Sequence, residues 1–259
     1  MAVKLKNQVV VVTGASRGIG QAICVAFAKE GATVVGVARS DLAGTGEAVL
    51  AAGGTFIPHN ADLGTGTQKE SAAVIGQILA KAGKLDVLVN NAGIIRRAPA
   101  KDFSEADWNA VIATNLNSPF FLMQAAGKWW IESGRAQAPA AARLKLVNIA
   151  SLLSFQGGIT VPAYAASKHA IAGVTKALSN EWAKERINVN AIAPGYIATE
   201  NTRALREDPA RNQSILDRIP EGRWGAAADI AGGCVFLASG DSDYLNGVVL
   251  NIDGGWLGR

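Results

Sequence analysis

The sequence predicts an α/β domain with a doubly wound, parallel sheet of seven strands. Short runs rich in β-branched residues alternate with longer segments of helical periodicity along all 259 residues. Because these runs are apolar on both faces, they suit strands that helices cover on two sides. No Pro/Ser-rich linker and no internal repeat divides the chain, so we expect a single domain over residues 1–259.

The predicted elements follow one another in a regular order. Strand and helix alternate three times before the fourth strand, "VLVN", and a long helical stretch then leads to the fifth strand, "LKLVNI". The predicted strands are 8–13, 33–38, 55–58, 87–90, 144–149, 188–192 and 248–252. The predicted helices are 19–30, 42–52, 69–82, 105–132, 163–183 and 228–238. Crossovers of this length between parallel strands are typical of the doubly wound architecture.

Segment 195–225, here called the lid segment, is the longest irregular stretch. It is polar, carries Pro209 and Pro220, and has one short helical pattern. Such long segments in compact domains are usually functional, so we predict that it is a lid over the substrate.

Composition excludes some classes of function. The net charge of +4 is spread along the chain without a basic run, so we do not expect nucleic acid as a partner. No apolar run is long enough to span a membrane or to act as a signal peptide, so we expect a soluble, cytoplasmic protein. Cys24 and Cys234 both fall in apolar helical stretches, where buried free thiols are expected.

A glycine-rich turn after the first strand predicts a dinucleotide site. In "VVVVTGASRGIGQAI" the strand ends at Thr13 and a helix opens at Gly18 and Gly20. Glycines let backbone N–H groups approach a pyrophosphate, and the helix N-terminus favours its negative charge. The candidate cofactor residues of this turn are Gly14, Ser16, Arg17, Gly18, Ile19 and Gly20.

The second strand ends in "ARSD", which bears on the choice of cofactor. Arg39 and Ser40, together with Arg17, suit a 2′-phosphate, so NADP(H) is favoured and NAD(H) stays the alternative. Asp41 lies near the position of an acidic residue that would hold the NAD ribose, and it also suits a helix cap.

Further candidates follow the third and fourth strands. Asp62 is a candidate for the adenine amino group or for a helix cap, and Leu63 lies beside it. The fourth strand leads into a turn of candidate cofactor residues, Asn91, Ala92 and Gly93. Arg96 and Arg97 come next and are candidates to clamp a substrate carboxylate.

Three residues predict proton-transfer chemistry. Tyr164 and Lys168 lie four residues apart on one helix face, where the lysine would favour the tyrosinate. Ser151 follows the fifth strand and so lies at the same edge of the sheet. No His/Cys ligand cluster accompanies them, and His59 and His169 are isolated in sequence.

Taken together, the motifs resemble the short-chain dehydrogenase/reductases, which have a Rossmann-type fold. The matching stretches span nearly the whole chain: TGASRGIG (13–20), NNAG (90–93), ATNLNSPFF (113–121), Ser151, YAASK (164–168), APGYIAT (193–199) and DGG (253–255). The resemblance implies that Tyr164 is the general acid/base, that Ser151 orients the carbonyl, and that Lys168 tunes Tyr164 and binds the nicotinamide ribose. It also implies that Asn115 holds a helix kink and a water of the proton relay, and that homotetramers are usual. The residues that would surround the nicotinamide are Pro194, Gly195, Ile197 and Thr199.

The stretches NNAGIIRR, SLLSFQGGITVPAY and DGGWLGR carry a narrower likeness. They resemble the 2-dehydro-3-deoxy-gluconate and 2-deoxy-gluconate dehydrogenases and the reductases of unsaturated-uronate breakdown products from pectin or alginate. The implied reaction transfers a hydride between NADP(H) and an acidic deoxy-keto sugar, such as 4-deoxy-L-erythro-5-hexoseulose uronate giving 2-keto-3-deoxy-D-gluconate. The candidate substrate residues are Arg96, Ser151, Gln156, Tyr164 and Arg203.

Three alternatives stay open. They are an NAD-dependent 2-dehydro-3-deoxy-D-gluconate 5-dehydrogenase, a 3-oxoacyl thioester reductase, and a non-catalytic dinucleotide sensor.

Overall fold

The structure, a computed structural model, describes residues 3–137 and 142–259. Its strands form one all-parallel, seven-stranded sheet with the order β3-β2-β1-β4-β5-β6-β7. In chain order they are β1 Val9–Thr13, β2 Thr33–Ala38, β3 Thr55–Asn60, β4 Val87–Asn90, β5 Leu144–Ile149, β6 Ile187–Pro194 and β7 Val249–Ile252. The predicted doubly wound fold is confirmed.

Helices cover the sheet on both faces. They are α1 Gly18–Lys29, α2 Ala43–Ala51, α3 Gln68–Ala82, α4 Glu105–Ile112, α5 Ser118–Glu132, α6 Pro162–Trp182, α7 Arg203–Glu207, α8 Pro209–Leu216 and α9 Ala227–Ala238. Alternate residues of β1 serve the two layers, since Val10 and Val12 pack with α1 and α9 while Val9 and Val11 pack with α3, α5 and α6. This explains why the strands are apolar on both faces. Cys24 and Cys234 are buried free thiols in the first of these layers.

One predicted helix is interrupted. In place of a continuous 105–132 helix, α4 and α5 are separated by a π-helical turn, Ala113–Asn117. The apolar periodicity runs on through this break, which is why the sequence pattern does not reveal it. π-turns inside helices are often found at functional sites.

The lid segment holds more structure than its sequence predicts. It contains α7 and α8, and a bridge between Ile197 and Gly225 closes its base. Ile215 and Ile219 from this segment form a small separate core with Leu152 and Trp256. Its action as a lid stays a prediction. Within the described ranges, no helix combines the length and the apolar character needed to cross a bilayer.

The strand order places a crevice at the carboxyl edge of the sheet. The chain leaves β1 towards β2 and β3 on one side, and β4 lies on the other side of β1. Ligands of open α/β sheets bind outside the carboxyl ends of the strands at such a switch point.

Candidate active site

A single cleft of about 1550 Å³ lies at this carboxyl edge. It extends from the glycine turn after β1 to α8 and the C-terminal Trp256. Every predicted cofactor residue lines it: Gly14, Ser16, Arg17, Gly18, Ile19, Gly20, Arg39, Ser40, Asp62, Leu63, Asn91, Ala92, Gly93, Tyr164, Lys168, Pro194, Gly195, Ile197 and Thr199. Of the predicted substrate residues, Arg96, Ser151, Gln156 and Tyr164 line it and Arg203 does not.

The first turn depends on glycine for both conformation and space. Gly14 and Gly18 have φ angles of +64° and +58°, in the left-handed region that favours glycine. A Cβ on Gly20 would lie 2.1 Å from the carbonyl oxygen of Gly14. The α1 N-terminus behind this turn has no side-chain cap. Free helix N–H groups at a bare turn fit an anionic group such as a pyrophosphate.

Side chains from β1 and β4 brace this turn. The Thr13 hydroxyl oxygen accepts hydrogen bonds from the N–H groups of Asn91 and Ala92, both at 3.0 Å. The Asn91 amide donates to the carbonyl oxygens of Thr13 at 2.9 Å and Gly14 at 3.2 Å. Asn91 therefore shapes the cleft through protein contacts, and its donor is engaged before any ligand arrives.

Positive charge gathers where the second strand meets the first turn. Arg17 and Arg39 are exposed on the cleft and have no ion-pair partner among the described residues. The Ser40 hydroxyl donates to the Ser16 hydroxyl at 2.9 Å and so ties the two segments together. Asp41 lies outside the cleft lining, and its Oδ1 accepts the N–H of Ala43, the first residue of α2, at 3.0 Å. The carboxylate that would have favoured NAD is thus held at the start of α2, outside the cleft.

Asp62 lies free of the helix that follows it. Its Oδ1 accepts the N–H of Gly64 at 2.8 Å in a tight turn, and it is exposed on the cleft. The cap of α3 is Thr67, which accepts the N–H of Glu70. The helix-cap alternative for Asp62 is therefore wrong for α3.

Ser151, Tyr164 and Lys168 meet at the centre of the cleft. Ser151 opens a short 3₁₀ turn after β5, and its Oγ accepts the N–H of Leu153 at 3.2 Å. Lys168 Nζ lies 5.5 Å from the centroid of the Tyr164 ring and donates to the carbonyl oxygen of Ile149 at 2.6 Å. The predicted i, i+4 pairing of tyrosine and lysine on one face of α6 is what the structure shows.

Burial is the main influence on the pKa values of Tyr164 and Lys168. Burial raises the pKa of Tyr164 above its ordinary value, and only a hydrogen bond with Ser151 and the charge of Arg97 act against it. Burial also lowers the pKa of Lys168, to about 8. In the free protein burial therefore decides the state of Tyr164, which keeps its proton at neutral pH. The expectation that Lys168 favours the tyrosinate stays a prediction.

Asn115 acts on the loop after β4 from the π-helical turn. Its Oδ1 accepts the N–H of Ile94 at 2.8 Å, and its Nδ2 donates to the carbonyl oxygen of Ile94 at 2.9 Å and to Ser167 Oγ at 3.3 Å. The expected helix irregularity is present at this residue. Its side chain does not line the cleft.

The predicted substrate arginines have different surroundings. Arg96 Nε lies 3.3 Å from Asp107 Oδ1. Arg203 is paired with Glu200 at 3.3 Å and Glu207 at 3.6 Å and lies outside the cleft, so the structure does not bring it to the other predicted substrate residues.

Two arginines and a tryptophan line the end of the cleft near α8 and Trp256, here called the substrate end, and the sequence did not predict them. Arg211 and Arg218 line the cleft, and the Arg218 guanidinium lies 4.1 Å from the centroid of the Trp256 ring. Trp256 Nε1 donates to Gln156 Oε1 at 3.4 Å, and no hydrogen bond from the Gln156 amide N–H groups is present among the described residues. Arg211 lies on α8 and Arg218 two residues past its end, so no helical spacing in the sequence pointed to the pair.

No cluster of His, Cys, Asp or Glu with the makings of a metal site occurs within residues 3–137 and 142–259. The site as described holds a tyrosine, a serine and a buried lysine beside a turn built for an anion. Such a set can transfer a proton to or from an oxygen atom bound at the cleft.

Comparisons with known proteins agree with this geometry. The family model for short chain dehydrogenases matches residues 8–210. The 2-dehydro-3-deoxy-D-gluconate 5-dehydrogenase of Bacillus subtilis (strain 168) is 50% identical over 260 residues, covering 100% of this chain and 98% of the relative. A solved Agrobacterium tumefaciens structure with bound NADP is 49% identical with a TM-score of 0.90, covering 100% of this chain and 99% of the other. A gluconate 5-dehydrogenase from Burkholderia cenocepacia J2315, in complex with NADP and tartrate, is 34% identical with a TM-score of 0.91, covering 100% and 98%.

The family model covers well over half of the chain, and the solved relatives share its whole fold. The chain therefore belongs to the short-chain dehydrogenases and is an NAD(P)-dependent oxidoreductase that interconverts an alcohol and a carbonyl.

Proposed function

We propose that the chain transfers a hydride between NADP(H) and an acidic deoxy-keto sugar whose alcohol form is 2-dehydro-3-deoxy-D-gluconate. One observation carries the proposal: a single cleft joins the anion-suited turn to Ser151 and Tyr164, and it is strongly cationic. Six arginines and only two carboxylates are among the residues that line this cleft. Both a dinucleotide and a sugar acid are anions that such a cleft attracts.

The residues at the first turn fit NADP(H). The bare backbone at Gly14 and Gly20 would hold the pyrophosphate, because a Cβ at Gly20 would collide with the Gly14 carbonyl. Arg17 and Arg39, unpaired and exposed, would hold the 2′-phosphate with guanidinium hydrogen bonds. Asp41, bound to the α2 backbone, offers no competing carboxylate. When bound, NADP(H) supplies or accepts the hydride at the reacting carbon.

The protein residues supply position and a proton. Tyr164, protonated at neutral pH because burial raises its pKa, donates its proton to the carbonyl oxygen in the reductive direction. Ser151, whose hydroxyl acts to lower the pKa of Tyr164, would donate to the same substrate oxygen. Lys168 holds the end of β5 through the Ile149 carbonyl and places a charge beside the Tyr164 ring. In oxidation Tyr164 would act as the base, which requires its prior deprotonation.

The substrate class rests on the relatives and on the cationic lining. The Bacillus subtilis relative is named for oxidation at C5 of 2-dehydro-3-deoxy-D-gluconate, and a solved relative is in complex with the dicarboxylate tartrate. The same compound is the product when 4-deoxy-L-erythro-5-hexoseulose uronate is reduced. Arg97, Arg211 and Arg218 at the substrate end suit an acid better than the acyl chain of a thioester.

The test is to incubate the purified protein with 2-dehydro-3-deoxy-D-gluconate and NADP⁺ or NAD⁺, and to identify the product by NMR. A ketone at C5 identifies the reaction named for the relatives, and a terminal aldehyde identifies the hexoseulose uronate reaction run in reverse. Turnover of acetoacetyl thioester in place of both acids would overturn the proposal. The homotetramer expected from the family resemblance stays a prediction for light scattering to test.

A further inference from the structure

We infer that Arg97 is the cation that binds the substrate carboxylate and thereby selects acids over neutral sugars. The inference rests on the proposed function, since it assumes a keto acid reduced at Tyr164. It assigns one residue where the sequence left three arginines as equal candidates.

The first argument is the state of each cation near the reacting groups. Arg96 is engaged by Asp107, and Arg218 by the face of Trp256. Arg203 lies outside the cleft and is paired with Glu200 and Glu207. Arg97 lines the cleft and has no ion-pair partner among the described residues. Its charge also reaches Tyr164, where it opposes the rise in pKa. Arg97 is thus available for an anion and near the atom that donates the proton.

The second argument is that the loop carrying Arg97 is held at both ends. On one side the Asn115 amide binds the main chain of Ile94 twice, at 2.8 and 2.9 Å. On the other side the N–H of Ala98 donates to the carbonyl oxygen of Thr160 at 3.0 Å. The fixed main chain gives the guanidinium a restricted range of positions at the cleft, which lowers the entropy lost when it binds a ligand.

The third argument is the strained residue that supplies one of these ties. Thr160 has a φ angle of +62°, a conformation that a β-branched residue rarely adopts. Such strain persists where the surrounding structure enforces it, and it concentrates at ligand clamps. Thr160 itself lines the cleft, in the loop between Ser151 and Tyr164. The strained turn therefore links the Arg97 loop to the segment that carries the proton donor.

The guanidinium fork matches a carboxylate with two parallel hydrogen bonds. With the keto oxygen at Tyr164 and the carboxylate at Arg97, a short keto acid would be fixed at two points. A neutral sugar would lose the second point. Arg211, on α8, also lines the cleft without an ion pair among the described residues, but its described main-chain contact is with Asp208 and not with the loop between Ser151 and Tyr164.

The experiment compares Arg97→Gln with Arg203→Gln, which removes the same charge from outside the cleft. Each protein is assayed with 2-dehydro-3-deoxy-D-gluconate and with its neutral methyl amide. We expect kcat/KM for the acid to fall about 100-fold in Arg97→Gln, mainly through KM, while the value for the amide stays within about 3-fold. Arg203→Gln should leave both values unchanged, and Arg97→Lys should recover part of the loss.

A second measurement separates binding from a merely structural role. Because Arg97 acts to lower the pKa of Tyr164, the alkaline rise of the oxidative rate should move to higher pH in Arg97→Gln. An unchanged acid-to-amide ratio in Arg97→Gln, with the native protein active on the acid, overturns the Arg97 assignment alone. A native protein inactive on the acid but active on another carbonyl overturns the proposed function, and the Arg97 assignment with it.

Discussion

Replacing Lys168 with methionine should stabilise the protein at neutral pH while abolishing its activity. Lys168 is only 6% exposed, and its Nζ meets one carbonyl oxygen, that of Ile149, with no carboxylate partner among the described residues. Burial lowers its pKa from 10.5 to about 8. A charged amine held there is a cost that the fold carries for the reaction.

The magnitude follows from that difference in pKa. Each whole step in pKa corresponds to about 1.4 kcal/mol, so burying the charged amine costs about 3 kcal/mol of folding free energy below pH 8. Methionine fills a similar volume but loses the hydrogen bond to the Ile149 carbonyl, worth about 1 kcal/mol. The net gain for Lys168→Met is then about 2 kcal/mol, or a rise of roughly 4 °C in Tm for a chain of this size.

The stability difference between Lys168→Met and the native protein should depend on pH. Between pH 8 and 10.5 the folded protein has released the Lys168 proton while the unfolded chain still binds it. The native protein therefore gains stability as pH rises through this window. The advantage of Lys168→Met should shrink over the same window and reverse by about 1 kcal/mol at its upper end.

The assay is thermal unfolding of the ligand-free proteins from pH 6 to 10.5, with Lys145→Met as the matched control. Lys145 is also buried, but it has a carboxylate partner in Asp243 at 2.6 Å. Burial also lowers the Lys145 pKa, but Asp243 opposes that shift, so Lys145→Met should gain clearly less stability at pH 7 than Lys168→Met. A Lys168→Met protein less stable than the native one at pH 7, or a difference that does not change above pH 8, would refute the reasoning.

Three further predictions concern the chemistry. Tyr164→Phe should lower turnover by at least about 100-fold, since the proton donor is lost. NADPH binding, followed by fluorescence titration, should stay within about 3-fold. Near-native turnover would show that Tyr164 is not the proton donor. Arg39→Ala should weaken NADPH binding by about 10- to 100-fold and leave NADH binding unchanged, because the guanidinium has no other partner to lose; equal losses for the two cofactors would contradict the 2′-phosphate assignment. With the raised pKa of Tyr164, the reductive rate should stay flat through neutral pH and fall only in the alkaline range, while the oxidative rate rises there; pH profiles of kcat/KM in both directions check the sign.

Local features of the sequence predicted much of the fold. The bounds of β2, β4 and β5 agree with the apolar runs, since a serine or asparagine follows within two residues of the end of each strand. The first glycine turn could also be predicted, because close contacts between neighbouring backbone atoms require glycine there. The pairing of Tyr164 with Lys168 follows from helix geometry alone.

What escaped prediction depends on contacts distant in sequence. The break between α4 and α5 is where Asn115 binds the main chain of Ile94, and the apolar periodicity does not record that contact. The ion pairs of Arg96 and Arg203 depend on which carboxylates the fold brings near them. The pKa of Tyr164 depended on burial, which the adjacent lysine in the sequence does not report.

The packing of Trp256 makes the last residues of the chain part of the substrate end. Its ring lies 4.7 Å from that of Tyr196, and Arg259 donates to the carbonyl oxygen of Asp217 at 3.0 Å. Removing residues 256–259 would remove part of the cleft lining near Trp256 and leave the glycine turn after β1 in place. Such a shortened enzyme would still bind a nucleotide affinity resin but would bind its substrate more weakly. Purification on such a resin would then be no measure of competence, and a tag fused behind Arg259 would carry the same risk.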